Sequence, residues 1–172
     1  ILVPADPDLD DRALLSDEKR DLVFKNLIGR TGVETIHRTI YRVHQRVARR
    51  FAHGRVFLVG DAAHLNNPLG GFGMNSGIHD AWNLCERIAR ALESGHDEAS
   101  FEQFDRQRRT VTHNFIQAQT IENKELLEHG GATSHELRME RMRKIHADPV
   151  ARREFLLRQA MFTSLKEAAA VE

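Results

Sequence analysis

The sequence predicts an α/β fold in which a few short strands give way to a mainly helical C-terminal region. Three observations predict it. Period-two alternation runs from Thr35 to about Val47. Four apolar residues in a row, Val56-Phe57-Leu58-Val59, stop at Gly60-Asp61. From Asn75 onward the apolar spacing becomes helical. A chain of 172 residues is long enough to bury a core.

Each element has its own local reason. Residues 1–12 carry Pro4, Pro7 and four Asp, and read as a loop without the Gly and closing Glu of a calcium site. Ser16 reads as an N-cap with Asp17 and Glu18 in the first turn. Leu22, Val23, Leu27 and Ile28 then form an apolar stripe that Gly29 ends. In the strand expected over 35–47, Thr39, Tyr41, Val43 and Val47 share one face. Arg38, Arg42, His44 and Arg46 share the other, with Ile36 and Ile40 breaking the pattern. The run Val56–Val59 fits a strand buried on both faces, as in a parallel sheet.

A helix is expected over 75–92, burying Ile78, Ala81, Leu84, Cys85, Ile88 and Leu92. A long helix follows from about Ser100 to Glu128, with Phe101, Phe104, Val111, Phe115 and Ala118 on its packed face. Gly130-Gly131 breaks it, and Ser134 caps a third helix through Ile145. Asp148-Pro149 opens a fourth, a cap followed by Pro in the first turn.

Composition excludes several classes. Lys plus Arg equals Asp plus Glu at 25 each, which argues against bulk binding of nucleic acid or an anionic membrane. No apolar run approaches the ~18 residues of a membrane span. The single cysteine, Cys85, excludes an intrachain disulfide and fits a cytoplasmic protein. Charge is locally uneven, since no acid occurs between Glu34 and Asp61 while six Arg do. That stretch reads as a phosphate-binding surface or, preferably, as a face that meets acidic groups elsewhere in a larger protein. The start at Ile1-Leu2-Val3, with neither Met nor a signal pattern, suggests a piece of something longer.

The stretch richest in chemistry is Gly60-Asp61-Ala62-Ala63-His64, then Pro68-Leu69-Gly70-Gly71-Phe72-Gly73-Met74-Asn75, then Asp80-Ala81-Trp82-Asn83-Leu84. An Asp at the C-terminal edge of a strand accepts hydrogen bonds from polyol hydroxyls. Glycines let backbone approach a flat ligand, and the following helix N-terminus offers N–H groups to negative charge. The spacing Gly71-x-Gly73-x-x-x-Gly77 is not the dinucleotide fingerprint, because no strand immediately precedes it.

This combination closely resembles the second FAD-binding motif of the single-component flavoprotein aromatic hydroxylases, the family of para-hydroxybenzoate hydroxylase and phenol hydroxylase. The likeness is strong over about 41–92 and continues into Phe104-Asp105-Arg106-Gln107-Arg108-Arg109. It implies the C-terminal part of a flavin hydroxylase FAD-binding fold, with the N-terminal dinucleotide-binding part absent. On that reading residues 1–50 end the substrate domain, 51–95 are the second FAD motif and 96–172 are C-terminal helices. The resemblance implies that Asp61, at the Gly60-Asp61 step, holds the ribityl chain of FAD. It sets Pro68 beside the flavin ring, in the loop of Gly70 and Gly71, and Gly73, Met74 and Asn75 at the pyrimidine edge. NAD(P)H and oxygen are the implied co-substrates and a small phenolic or aromatic compound the substrate. Epoxidases, halogenases and reductases share the motif. No catalytic side chain or metal ligand is assigned. The chain alone is expected to be inactive, and the C-terminal helices leave room for a homodimer. The alternative is a non-catalytic fragment acting as a binding or oligomerisation module.

Other candidates read as structural. His64 is expected to orient the loop, with Asp80 and Asn83 cross-linking it. His79 is read as a surface residue and Cys85 as a buried, inert thiol. His129 and His135 lack a third ligand for zinc, and Met139, Met142 and Met161 are core fillers.

Overall fold

A computed structural model describes residues 1, 3–95, 97–128 and 132–172. The chain forms two compact units, Ile1–Val43 and His44–Glu172.

In the first unit the short helix α1 (Asp11–Leu14) is capped by Asp10, whose Oδ1 accepts the Ala13 N–H at 2.8 Å. Helix α2 (Asp17–Ile28) begins at Ser16, whose Oγ accepts the Lys19 N–H at 3.1 Å. It ends at Gly29 in the left-handed conformation, φ +70°. Both ends follow the expected capping chemistry. The apolar stripe does not: Leu22, Leu27 and Ile28 are each half or more exposed. Two of the six Arg of the basic run find acids within this unit. Arg42 pairs with Asp11 at 2.6 Å, and Arg38 reaches Asp17 at 2.8 Å and the carbonyls of Leu15 and Ser16. These exposed pairs contribute little stability.

The strand expected over 35–47 is not formed. Only Arg46–Val47 (β1) is a strand, and Ile36 and Tyr41 are exposed. Alternation selects faces only once a neighbouring strand takes up the backbone hydrogen bonds. Within 35–47 β1 alone has one: it pairs antiparallel with β4 (His64–Leu65), matching Arg46 with Leu65 and Val47 with His64. The apolar run also departs from expectation. Val56–Phe57 (β3) closes an antiparallel hairpin with Ala52–His53 (β2) through Gly54, φ +57°, and Val56 is exposed. A tight turn two residues long enforces the antiparallel pairing that the apolar count could not reveal.

The rest of the second unit is helical: α3 (Phe72–Ser94), α4 (Glu98–Val111), α5 (Ala118–Glu128), α6 (Ala132–Ala147), α7 (Pro149–Gln159) and α8 (Phe162–Ala169). Asp148 caps α7 at the Val150 and Ala151 N–H groups, with Pro149 in the first turn, as expected. Between α4 and α5 the helix widens into a π-helical segment, Thr112–Gln117. The wider turn shifts the phase of the packed face. Phe115, Ile116, Gln119 and Thr120 are buried, whereas Ala118, expected inside, is exposed. The expected Gly130-Gly131 break and the His129 position lie outside the described residues, as do the side chains of Ser134 and His135.

Two apolar clusters hold this unit. Phe51, Ala63, Leu84, Phe101 and Phe104 pack with Phe57, Leu58, Val59 and Ile88. Phe72, Val111, Phe115, Ile116, Met161 and Ala168 form the second. Met161 fills the core as expected, whereas Met139 is exposed. The inward face of α3 is Phe72, Ser76, Asp80, Leu84 and Arg87. Ile78, Cys85 and Leu92, expected inside, are exposed, because the helix turns its polar residues toward a buried ionic cluster. Among the described residues no helix is long and apolar enough to cross a membrane.

Candidate functional site

The site is built where β3 ends. Gly60–Ala62 makes one 3-10 turn, closed by the Ala63 N–H donating to the Gly60 carbonyl at 2.8 Å. Gly60 is left-handed, φ +56°, and lies against the second turn of α3. A Cβ on Gly77 would stand 3.1 Å from the Gly60 Cα. Gly77 therefore serves helix-to-turn packing rather than ligand approach. Asp61 emerges from this turn exposed, and its carboxylate has no hydrogen bond or ion pair among the described residues.

Beneath the turn lies a fully buried cluster. Asp80 Oδ2 accepts the Gly60 N–H at 3.0 Å and the His64 Nε2–H at 2.8 Å, while Oδ1 accepts the Arg108 Nε–H at 2.6 Å. Burial opposes ionisation of Asp80 most strongly. The His64 hydrogen bond and the Arg108 charge outweigh it, and the carboxyl is held below its ordinary range. His64 is thus structural, as read from the sequence, and its Nδ1 has no partner among the described residues. Asp80 cross-links the Gly60–His64 turn rather than the glycine loop. His79 is half-buried instead of surface-exposed, and burial, followed by the nearby Arg108, lowers its pKa.

An amide network fixes the loop from Leu65 to Gly71. Asn67 donates to Gln45 at 2.8 Å and to the Thr120 carbonyl at 2.9 Å. Gln117 donates to the Leu65 carbonyl and Asn123 to that of Leu69. Gln117, the last residue of the π-helical segment, is among these holders. Spacing alone did not flag Gln45, Asn67, Gln117 and Asn123. For Gln117 and Asn123 the one sequence signal is a run of amides on a helix otherwise read as apolar-faced; Gln45 and Asn67, outside any helix, carry none.

The sequence-derived site residues fall on one path: Gly60 and Asp61 in the turn, Pro68 exposed on the loop, Gly70 and Gly71 left-handed, then Gly73, Met74 and Asn75 in the first turn of α3. Gly71 is the N-cap and supplies no side chain. No acid sits in the first turn of α3, so its leading N–H groups are uncapped. Asn75 Nδ2 turns back to the Gly71 carbonyl at 3.0 Å. The two ends of this path offer a free carboxylate for hydroxyl donors and free N–H groups for an electron-rich edge. That donor set fits a flavin carrying a polyol chain.

Gly73, despite its place in the glycine loop motif, is an ordinary helical residue. A Cβ there would meet Asn66 Oδ1 at 3.5 Å, a normal contact. Gly73→Ala is therefore expected to leave the melting temperature unchanged or raise stability by up to ~1 kcal/mol. A clear drop in Tm would show that the helix cannot accept a side chain there.

The family model described as FAD binding domain matches residues 17–119. The chain belongs to this family. The family match agrees with the resemblance drawn from the Gly60-Asp61 motif. Among curated relatives, the 6-hydroxy-3-succinoylpyridine 3-monooxygenase of Pseudomonas putida (strain DSM 28022 / S16) is 40% identical over 90 residues. That alignment covers 52% of this chain and 23% of that protein. The para-nitrophenol 4-monooxygenase of Pseudomonas sp. (strain WBC-3) is 43% identical over 75 residues, 44% of this chain and 19% of that protein. The crystal structure of p-nitrophenol 4-monooxygenase from Pseudomonas putida DLL-E4 superposes with a TM-score of 0.72 at 28% identity. It covers 90% of this chain and 41% of that one. The chain thus spans about a fifth of the length of these two curated relatives.

Proposed function

We propose that this FAD binding domain chain is the flavin-contacting portion of a monooxygenase that hydroxylates a phenolic or aromatic substrate with NAD(P)H and oxygen. The observation that carries the reading is the free carboxylate of Asp61, presented from a turn packed on the uncapped helix α3. Residues 51–95 are assigned as the second FAD motif, between the end of a substrate domain (1–50) and C-terminal helices (96–172). FAD, when bound, supplies the redox chemistry that links NAD(P)H to oxygen. Asp61 accepts hydrogen bonds from the ribityl hydroxyls. Pro68 borders the ring, and Gly70 and Gly71 let the backbone approach it. The backbone at Gly73, Met74 and Asn75 faces the pyrimidine edge, with the Gly73 and Met74 N–H groups left free by the helix and its dipole favouring negative charge there by about 1 kcal/mol.

The names of the relatives support the aromatic substrate class, and the single, exposed Cys85 fits a cytoplasmic setting. The exposed apolar residues Val150, Leu156 and Phe162 support a homodimer contact on the C-terminal helices.

Asp61→Ala in the holoprotein tests the reading. It is expected to weaken FAD binding roughly tenfold or more, because hydrogen bonds to a charged acceptor contribute about 1.5–3 kcal/mol. Fluorescence quenching of FAD titrated with apoprotein measures it. Unchanged affinity would remove Asp61 from the site.

A further inference from the structure

The mechanism leaves one buried cluster unused: Asp80 with its three donors. We propose that Asp80 is a positioning residue for FAD, acting through both the Gly60 N–H and the His64 ring to set how Asp61 is presented. The inference rests on the reading of Asp61 as a flavin ligand.

The geometry carries it. Gly60 is gripped on both sides of its peptide, by Asp80 at its N–H and by the Ala63 N–H at its carbonyl. Asp61 follows directly on that gripped residue and has no hydrogen bond or ion pair of its own among the described residues. Its direction is therefore inherited from the turn. Asp80 is in turn immobile. Its side chain is 0% exposed, Arg108 at 1% exposure neutralises it, and the Arg108 NH2 group reaches back to Ser76 Oγ at 3.4 Å. His64 ties the far end of the same turn to the same oxygen. One carboxylate thus fixes Gly60 and His64, which flank Asp61. Asp80→Asn would replace one acceptor oxygen by an NH2 donor. Whichever way the amide lies, that donor faces either the Arg108 Nε–H or the N–H groups of Gly60 and His64.

A double-mutant cycle on FAD affinity in the holoprotein separates positioning from plain stabilisation. Asp61→Ala and Asp80→Asn are each expected to weaken FAD binding roughly tenfold. The double variant is expected to bind about as weakly as Asp61→Ala alone, because both act on one interaction. Wild-type affinity in Asp80→Asn, or a double loss equal to the product of the two single losses, overturns the proposal while leaving Asp61 in the site. Wild-type affinity in Asp61→Ala overturns the flavin reading of Asp61 itself, and the positioning role with it. Should Asp80→Asn not fold, His64→Phe replaces it in the cycle. It removes one donor to Asp80 but keeps the Arg108 pair, and its ring lies beside Phe51, whose centroid is 6.0 Å from that of His64. The same non-additivity with Asp61→Ala is expected, and additivity overturns the proposal.

Discussion

Arg108→Met is expected to destabilise the protein by about 3–5 kcal/mol near neutral pH. Removing one partner of a buried ion pair leaves the other charge uncompensated. Arg108 is 1% exposed and Asp80 0%, and the Nε–Oδ1 distance is 2.6 Å. Methionine keeps much of the volume, so the loss reports charge more than cavity. The pH dependence gives the signature. In the wild-type protein the Asp80 carboxyl lies below its ordinary value of 3.8. Its ionised form therefore contributes stability above that pH, and the contribution is lost as pH falls through the folded-state value. In Arg108→Met burial opposes the charge with only His64 and the Gly60 N–H remaining, so the carboxyl moves upward. The variant then loses stability as pH rises through the carboxylate range and recovers part of it in acid. Chemical denaturation at pH 4 and pH 7 measures the effect. A variant whose deficit is the same at both pH values would show that Asp80 does not depend on Arg108 for its charge.

Local chemistry was legible in the sequence, and pairings across distance were not. The caps at Ser16, Gly29 and Asp148 each need only neighbours within a few residues, and each forms as expected. So does the passage from Gly60-Asp61 through the glycines into a helix. The strand over 35–47 failed because alternation implies a partner without supplying one. The buried face of α3 was misassigned for a related reason. The stripe read from the sequence counts only apolar residues and leaves out Ser76 and Asp80, whose partner Arg108 lies 28 residues from Asp80 along the chain. A polar set at four-residue steps ending in Leu84 was the available hint. The π-helical segment had no hint, since its insertion shifts the phase of an otherwise regular apolar pattern.

Gly70→Ala is expected to cost about 2–5 kcal/mol, against little or no cost for the same change at Gly73. The two positions share a motif but not a backbone. Gly70 has φ +105°, a region in which an L side chain carries about 1–3 kcal/mol of strain. Its Cβ would also stand 2.5 Å from Phe72 Cε2 and 2.6 Å from Asn123 Nδ2. Neither neighbour yields freely. Phe72 is buried edge-on against Phe115 with ring centroids 6.0 Å apart, and Asn123 holds the Leu69 carbonyl. Overpacking of that kind typically adds about 1–3 kcal/mol. Part of the strain is relieved if the loop shifts outward and the Asn123 hydrogen bond breaks. That shift moves Pro68 and the start of α3, so FAD affinity falls together with Tm. Differential scanning fluorimetry of the apoprotein and FAD titration of the same samples give both quantities. A Gly70→Ala protein that melts and binds FAD like the wild type would show that the loop does not need the left-handed residue at this step.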